Sequence, residues 1–475
     1  MSKRYAQVLV FVSSAAVLVL EILAGRLLAP YVGISLETFT GIIGTILAGI
    51  AVGAALGGYL ADRHDPNSLI GPALMIGGVL AWSSIPVVSL LGPGVGTAVP
   101  AIVLLSFFGF FPCAMVLTAI SPMVAKLRLQ SLSETGEVVG GLSAAGTFGA
   151  LFGTFFTGFV LVSAAPTRPI VLAVGLFLVA WGAVFSLRRG GGRRPSLGLA
   201  GAGLVVFGIA ALTTGPCEFE SAYACGRVET DPDDASLRFL HLDTLRHGAV
   251  DLDDPTHLEF RYVKIIGDVI DVIPDGPIDA LHVGGGAFSL PAYVNATRPG
   301  STNLVSEIDP LLVEVGRDEL GLVTDADLEV INGDARLTVE KLPTDAYDLI
   351  VGDVFGGLAV PWHLTTTEFV AELDRVLRPG GIYVMNVIDG DQNRFVEAEL
   401  ATLAQHFEYR AVVVPSDWPS VRPVNQILVG SDAPLPAFDI DPEDGQLVDD
   451  VDAFTGDAPV LRDDFAPVEQ LAANL

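Results

Sequence analysis

Residues 280–286 read ALHVGGG, a short apolar strand that runs directly into three glycines. Three later apolar segments carry a polar motif at their ends, namely SEIDP (306–310), NGDA (332–335) and YDLIVGD (347–353). Apolar strands that alternate with helical segments predict a doubly wound, mostly parallel α/β sheet. Because ligands bind at the carboxyl ends of such strands, the four motifs predict one site along that edge.

The residue types in these motifs suit an adenosyl ligand. Glycine at positions Gly284, Gly285 and Gly286 lets the backbone approach a ligand closely. Glu307 ends the second strand and can accept both hydroxyls of a ribose, while Asp334 ends the third and can accept an adenine amine. A simpler alternative stays open, in which the glycines form a tight turn and the two acids cap helices.

The remainder of the second half is predicted to contain a helix at about 366–377 and a strand at 382–387. We expect a linker and small β region over 216–270, the α/β domain over 271–431 and an acidic tail over 432–475. The last apolar residues of the tail are typical of a docking strand or helix.

The first half, residues 1–215, is predicted to be an all-α polytopic membrane domain. A bilayer core needs about 20 apolar residues per helix. Seven runs of about this length occur in series, so we expect about seven transmembrane helices. The runs are 7–29, 38–60, 69–91, 98–124, 139–163, 169–187 and 197–214.

Charge divides the chain as sharply as hydropathy. Residues 1–215 carry 11 Lys and Arg against 6 Asp and Glu, whereas residues 216–475 carry 15 against 49. So acidic a surface disfavours binding to nucleic acid or to an anionic membrane face. It suits a protein solvated in high salt, as in an acidic proteome.

Two charged residues fall inside the first apolar run. Glu21 and Arg26 are functional candidates because charges inside a membrane are energetically expensive. They are five positions apart and do not stack on one helix face. Structural pairing with another element and a ligand or ion role both stay open.

The distribution of Lys and Arg predicts a cytoplasmic N-terminus, with nine basic residues on that side and only Arg168 on the other. Seven spans then place the acidic half outside the cell, where Cys217 and Cys225 can form a disulfide. If the last run does not span, that half is cytoplasmic and both cysteines stay reduced. The expected location is therefore the cell membrane, multi-pass, with the side of the second half open.

Residues 227–431 resemble the spermidine synthase family, the polyamine aminopropyltransferases with an S-adenosylmethionine methyltransferase-like Rossmann fold. The glycines, the SEID, GDA and YDLIVGD motifs and the LRPGG turn at 377–381 carry the resemblance. The apolar half resembles the multi-span, transporter-like domain of a membrane variant of that family, on residues 21–31 and 144–158.

The resemblance implies aminopropyl transfer from decarboxylated S-adenosylmethionine to a polyamine acceptor. It implies that Glu307 holds the ribose and that Asp334 and Ala335 contact the adenine. Asp353 would take the proton of the attacking amine, which a carboxylate at a strand end can do. A purely structural capping role for Asp353 is the alternative.

The same resemblance places further residues around the two substrates. Asp309 and His247 would lie with the donor, His247 standing where the family has a glutamine. Tyr262 and Pro361 would lie near the acceptor. His363 falls in the loop that would cover the site, either as a hydrogen-bonding residue or as a general base.

Two acids of the family pattern are missing, because Ala287 directly follows the glycines and Gly356 stands in the loop after Asp353. Their absence weakens cation recognition and favours an alternative, an S-adenosylmethionine-dependent methyltransferase of another substrate. An exterior second half would favour a third class, a non-catalytic ligand-binding or transport-linked membrane protein. We expect no metal. The expected partners are a small-molecule acceptor, a lipid bilayer and, in a homo-oligomer, further copies of the chain.

Overall fold

The computed structural model of the protein describes residues 1–96, 98–129, 135–189, 193–357, 359–390, 392–418 and 424–472. The chain divides into two units, Met1–Gly226 and Arg227–Leu475. Each unit buries its own hydrophobic core. The four-part division drawn from the sequence stays a prediction.

The first unit consists mainly of helices. They are α1 (Lys3–Val32), α2 (Leu36–Arg63), α3 (Pro66–Leu91), α4 (Val99–Gly109), α5 (Phe111–Thr118), α6 (Ile120–Arg128), α7 (Thr135–Phe156), α8 (Val162–Ala164), α9 (Thr167–Arg189) and α10 (Arg193–Leu212). A π-helical turn, Thr157–Leu161, joins α7 to α8.

Six helical stretches among the described residues are long and apolar enough to cross a membrane, judged by length and composition. Two shorter apolar helices, Val99–Gly109 and Gly201–Leu212, fall within the fourth and seventh predicted runs. The fourth run is not one helix, because breaks at Phe110 and Ala119 divide it into α4, α5 and α6.

Glycines let the helices of the first unit pack backbone to backbone. A Cβ at Gly149 of α7 would lie 2.1 Å from the carbonyl oxygen of Phe11 in α1, and one at Gly153 would lie 2.5 Å from that of Ala15. Only a residue without a side chain permits this approach. From Phe11 to Ala15 in α1 and from Gly149 to Gly153 in α7 the chain advances in the same direction, so α1 and α7 run parallel.

The two charges predicted inside the first run have different surroundings. Arg26 binds Glu220, with Nη2 and Oε1 3.2 Å apart, and its Nη1 donates to the carbonyl oxygen of Ala222 at 2.6 Å. Arg26 therefore has a structural partner outside the apolar runs. Glu21 Oε2 is buried without a hydrogen-bond partner among the described residues, and a ligand or ion role for it stays a prediction.

A short hairpin ends the first unit. Its strands are β1 (Phe219–Glu220) and β2 (Cys225–Thr230), which pair antiparallel. A disulfide joins Cys217 to Cys225, whose Cα atoms are 5.3 Å apart. The structure therefore contains the disulfide, which was one of the two states expected for these cysteines.

The second unit alternates strands and helices. Its strands are β3 (Leu237–Leu242), β4 (Leu245–Asp251), β5 (Asp279–Val283), β6 (Thr302–Glu307), β7 (Leu328–Asn332), β8 (Tyr347–Gly352), β9 (Leu377–Asp389), β10 (Tyr409–Pro415), β11 (Val424–Ser431) and β12 (Gly445–Leu447). Its helices are α11 (Arg261–Asp271), α12 (Ser289–Thr297), α13 (Pro310–Glu319), α14 (Ala335–Val339), α15 (Thr367–Val376), α16 (Arg394–Leu403), α17 (Val451–Thr455) and α18 (Val468–Leu471).

The main sheet is mixed rather than mostly parallel. Its strand order is β12-β10-β11-β9-β8-β5-β6-β7, and the five strands from β5 to β9 run parallel as predicted. Strands β10, β11 and β12 pair antiparallel. Too few residues separate Pro415 from Val424 for the crossover that a parallel pair needs, so β10 and β11 form a hairpin.

One segment predicted as strand is helical. The linker and small β region was expected over 216–270, yet α11 begins at Arg261. Its buried residues Val263, Ile266 and Ile270 recur at helical spacing. They share a hydrophobic cluster with Ile427 of β11, so α11 covers one face of the main sheet.

The acidic tail packs against the α/β core. It supplies β12 to the sheet, and Leu461 and Val468 are buried in the cluster beneath α15 and α16. The backbone N–H of Leu461 donates to Thr402 Oγ1 at 2.9 Å. The tail therefore forms part of the folded second unit.

Candidate active site

The three glycines after β5 form a turn that touches the end of β8. Gly284 has φ +99° and Gly286 has φ +51°, conformations that favour glycine. A Cβ at Gly284 would lie 2.3 Å from the carbonyl oxygen of Asp353. The glycine turn and the strand end that carries Asp353 are thus in direct backbone contact.

Glu307, at the end of β6, holds this turn in place. Its Oε2 accepts the backbone N–H of Gly285 at 2.8 Å, and its Oε1 accepts that of Asp309 at 2.9 Å. Burial raises the pKa of the Glu307 carboxyl, and the backbone donors act in the opposite direction. Since a carboxylate has about four lone-pair sites, Glu307 keeps capacity to accept ribose hydroxyls.

Asp309 and Asp334 both cap helices. Asp309 accepts the N–H of Leu311 at 3.0 Å as the N-cap of α13. Asp334 accepts the N–H of Leu337 at 3.2 Å as the N-cap of α14, whose first residue is the buried Ala335. The capping alternative drawn from the sequence therefore describes Asp334, and the adenine contact of Asp334 and Ala335 stays a prediction.

His363 reaches the same carboxylate from residues 359–366, which precede α15 and are here called the covering loop. Its Nε2 lies 3.0 Å from Asp334 Oδ2, and both side chains are about one-third exposed. Pro361 precedes the 3₁₀ turn that carries His363. His363 is therefore within hydrogen-bond distance of Asp334, and its role as a hydrogen-bonding residue or as a general base stays a prediction.

Arg336 and Asp463 anchor the covering loop. Arg336 makes a two-pronged ion pair with Asp463, with N–O distances of 2.7 and 2.6 Å. The same guanidinium donates to the carbonyl oxygen of His363 at 3.0 Å. Asp463 belongs to the tail, so a distant part of the chain fixes the loop over the strand ends.

Asp353 follows β8 and is held by side chains from other elements. Asn386 Nδ2 of β9 donates to its Oδ1 at 2.9 Å, and the Tyr262 hydroxyl of α11 donates to its Oδ2 at 3.4 Å. Asn425 Nδ2 of β11 in turn donates to Asn386 Oδ1 at 3.0 Å. The carboxylate is therefore fixed by a chain of hydrogen bonds across the sheet.

The electrostatics around Asp353 favour a proton acceptor. Desolvation raises the pKa of Asp353, while the Asn386 hydrogen bond, His247 and Tyr262 act to lower it. Burial lowers the pKa of His247 and raises that of Tyr262 well above its ordinary value. A carboxylate with a raised pKa is a stronger base than an ordinary aspartate.

The structure brings the predicted residues into two groups. Glu307 and the glycines lie together, and Tyr262 and His247 lie around Asp353. A Cβ at Gly286 would lie 4.0 Å from the His247 ring, so His247 stands between the groups. Among the described residues, no group of His, Cys, Asp or Glu side chains is arranged to hold a metal ion.

Sequence reasoning missed four residues that support the site, namely Asn386, Asn425, Arg336 and Asp463. Asn386 interrupts the apolar strand YVMNVI, and such a buried amide in a central strand is a usable signal. No comparable signal in the sequence marks Arg336 and Asp463, because their pairing depends on tertiary structure.

Ala287 and Gly356 stand at the positions of the two missing family acids, and the structure shows what surrounds each of them. Ala287 is buried, and a Cβ at Gly248 of β4 would lie 2.7 Å from its Cβ. Gly356 uses its backbone N–H to donate to the carbonyl oxygen of Ala359 at 2.8 Å. Ala287 thus packs closely against Gly248, whereas a Cβ at Gly356 would meet its nearest atoms only at 3.8 Å.

Part of the chain is similar in sequence to known transferases. It is 28% identical over 187 residues to a polyamine aminopropyltransferase of Chromobacterium violaceum, covering 39% of this chain and 70% of that protein. It is 27% identical over 126 residues to an eEF1A lysine and N-terminal methyltransferase of Danio rerio, covering 25% of this chain and 18% of that protein. These similarities support a transferase.

A solved structure is similar over nearly its whole length. The probable spermidine synthase from Corynebacterium glutamicum is 27% identical and covers 54% of this chain and 99% of its own, with a TM-score of 0.49. No family model matches the chain. The sequence similarity to the Chromobacterium violaceum enzyme supports the aminopropyltransferase resemblance for part of the chain, and the fusion to a transporter-like domain stays a prediction.

Proposed function

We propose that the second unit transfers an aminopropyl group from decarboxylated S-adenosylmethionine to an amine acceptor. The observation that carries the proposal is the Asp353 carboxylate, oriented by Asn386 and Tyr262 beside the glycine turn. The acceptor nitrogen attacks the aminopropyl carbon, and the carbon–sulfur bond breaks with its electron pair going to the sulfonium sulfur. Methylthioadenosine leaves, and Asp353 takes the proton from nitrogen.

The same residues could serve a second reaction, methyl transfer from S-adenosylmethionine to an amine. Ala287 and Gly356 favour this candidate, because neither supplies a carboxylate for a polycationic acceptor. The similarity to the eEF1A methyltransferase points in the same direction. Both reactions need an amine that has lost its proton, so Asp353 has the same role in each.

The two reactions differ in their nucleoside product. The full-length protein in detergent would be incubated with a diamine and either donor, and the products identified by mass spectrometry. Methylthioadenosine formed only with diamine supports aminopropyl transfer, whereas S-adenosylhomocysteine supports methyl transfer. If neither product exceeds that of Asp353→Asn while both donors bind, the unit binds its ligand without catalysis.

We further propose that the first unit anchors the protein in a membrane as a multi-pass domain. Six stretches of suitable length and apolarity support this proposal. Exposed large apolar residues such as Leu47, Phe148 and Phe159 suit contact with lipid. Recovery of the protein in the membrane fraction after an alkaline carbonate wash tests it, and release by that wash would contradict it.

A further inference from the structure

The two ends of the helical unit differ in charge. One end, here the Met1 end, brings together Lys3 and Glu137 at 2.6 Å and Lys126 and Asp62 at 2.7 Å. Arg128 Nη1 donates to the carbonyl oxygen of Met1 at 3.0 Å in the same region. The ends of α1, α2, α6 and α7 that carry these residues therefore lie together.

The opposite end carries the disulfide hairpin and is here the hairpin end. Arg26 Nε donates to Thr167 Oγ1 at 3.2 Å, which joins the last turns of α1 to the start of α9. Arg168 Nη2 donates to the carbonyl oxygen of Ala210 at 3.2 Å, which joins the same region to the end of α10. Glu220 of the hairpin accepts from Arg26.

These contacts fix the direction of each pass. In the described residues the chain runs from the Met1 end along α1, returns along α2, and alternates through α3, α4–α6, α7–α8 and α9. The contact between Arg168 and Ala210 shows that α10 returns to the hairpin end. If the shorter helix α10 is counted with the six candidate spans, the described residues make seven passes, and the chain enters and leaves the helical unit at opposite ends.

Basic residues concentrate at the Met1 end. Nine fall in the chain segments of that end, namely Lys3, Arg4, Arg63, Lys126, Arg128, Arg188, Arg189, Arg193 and Arg194. At the hairpin end, Arg26 and Arg168 are both engaged in hydrogen bonds. Basic loops of membrane proteins are retained in the cytoplasm, so this asymmetry orients the unit.

We infer that the hairpin end faces the oxidising, non-cytoplasmic side of the membrane. The disulfide supports this orientation independently of the charges, because disulfides persist outside the cytoplasm and are rare within it. The inference rests on the proposed membrane anchoring but not on the reaction.

Two reporter cysteines at opposite ends of α2 test the inference. Glu37→Cys lies near the hairpin end and His64→Cys near the Met1 end, and both natural residues are exposed. Each would be placed in a chain carrying Cys113→Ala, Cys217→Ser and Cys225→Ser, and treated with a membrane-impermeant maleimide before and after cell lysis. We expect Glu37→Cys to react in intact cells and His64→Cys to react only after lysis.

Three results would overturn the inference: the reverse pattern, labelling of both reporters in intact cells, or labelling of neither until lysis. A second measurement uses the natural cysteines and needs no folded variant. Denatured protein from cells lysed in alkylating reagent should show one reactive thiol, from Cys113, before reduction and three after it. Three thiols before reduction would contradict the orientation.

Discussion

The glycine-turn side of the site and the Asp353 side are built from different kinds of contact. Glu307 accepts two backbone N–H groups, that of Asp309 just after its own strand and that of Gly285 in the turn after the neighbouring strand β5. Asp334 accepts the backbone N–H of Leu337 and also lies 3.0 Å from the His363 ring. Asp353 instead accepts from side chains of Asn386 and Tyr262, which belong to distant elements. The first side is held mainly by backbone donors at the ends of adjacent strands, and the second by side chains from distant elements.

This difference separates binding from chemistry. Backbone donors hold a carboxylate rigidly but cannot be replaced by mutation, which suits a surface that positions a ligand. Side-chain donors set both the orientation and the pKa of a single group, which suits a base. Variants on the Asp353 side should therefore change rate, whereas variants on the glycine-turn side should change donor affinity.

Asp353→Asn should have the largest effect. A general base contributes about 10²–10⁴-fold to rate, so turnover should fall by that range while donor affinity changes by less than about threefold. Turnover is measured as nucleoside product, and affinity by calorimetry with methylthioadenosine. Asp318→Asn, at an exposed position of α13, is the control. A large loss of donor affinity in Asp353→Asn would erase the distinction between the two sides.

Asn386→Leu should lower the rate by about tenfold, because a hydrogen bond to a charged group contributes about 1.5–3 kcal/mol. Without this donor the pKa of Asp353 rises further, so more of the base is protonated at a given pH. The acid limb of the rate profile should therefore move to higher pH, and the loss should shrink as pH rises. Asn425→Ala, acting through Asn386, should shift the limb less. An unchanged limb in both variants would assign Asn386 a purely structural role.

Glu307→Gln should weaken donor binding by about tenfold with a smaller change in rate at saturating donor. The new amide group faces a backbone N–H where an oxygen accepted one, and such a mismatch costs about 1–3 kcal/mol. Titration with methylthioadenosine measures the effect. If the rate at saturating donor falls as far as in Asp353→Asn, Glu307 belongs to the chemistry rather than to binding.

The smallest effect is expected for the Arg336–Asp463 pair. Partly exposed ion pairs contribute about 0.2–1 kcal/mol, so Arg336→Lys and Asp463→Asn should each raise the donor dissociation constant by about two- to fivefold. The double variant should add little, since both changes break one contact. Arg410→Lys, which breaks the Arg410–Asp452 pair at 2.7 Å, is the control. Full additivity in the double variant would argue against the pair as an anchor of the loop.

The local side of the site was the more predictable from sequence. Strand-end motifs located Glu307, Asp334 and Asp353, because each follows an apolar run by a fixed short spacing. The capping alternative for Asp334 was also visible, since it rests on the next three residues.

What the sequence did not predict arises from long-range pairing. The antiparallel register of β11 beside β9 sets Asn425 opposite Ile388, which brings its side chain within hydrogen-bond distance of Asn386, and no local pattern encodes that register. The start of α11 was misassigned as strand because its apolar residues also suit a short β segment, and this hid the position of Tyr262 on a helix.

The clamp of Arg336 by Asp463 has a consequence for synthesis of the chain. The two residues are 127 positions apart, and a ribosome adds about 5–20 residues per second. The covering loop therefore stays without its anchor for on the order of ten seconds after Arg336 is made. A nascent chain that stalls between Asp353 and Asp463 carries every strand-end motif of the site but cannot yet fix the covering loop.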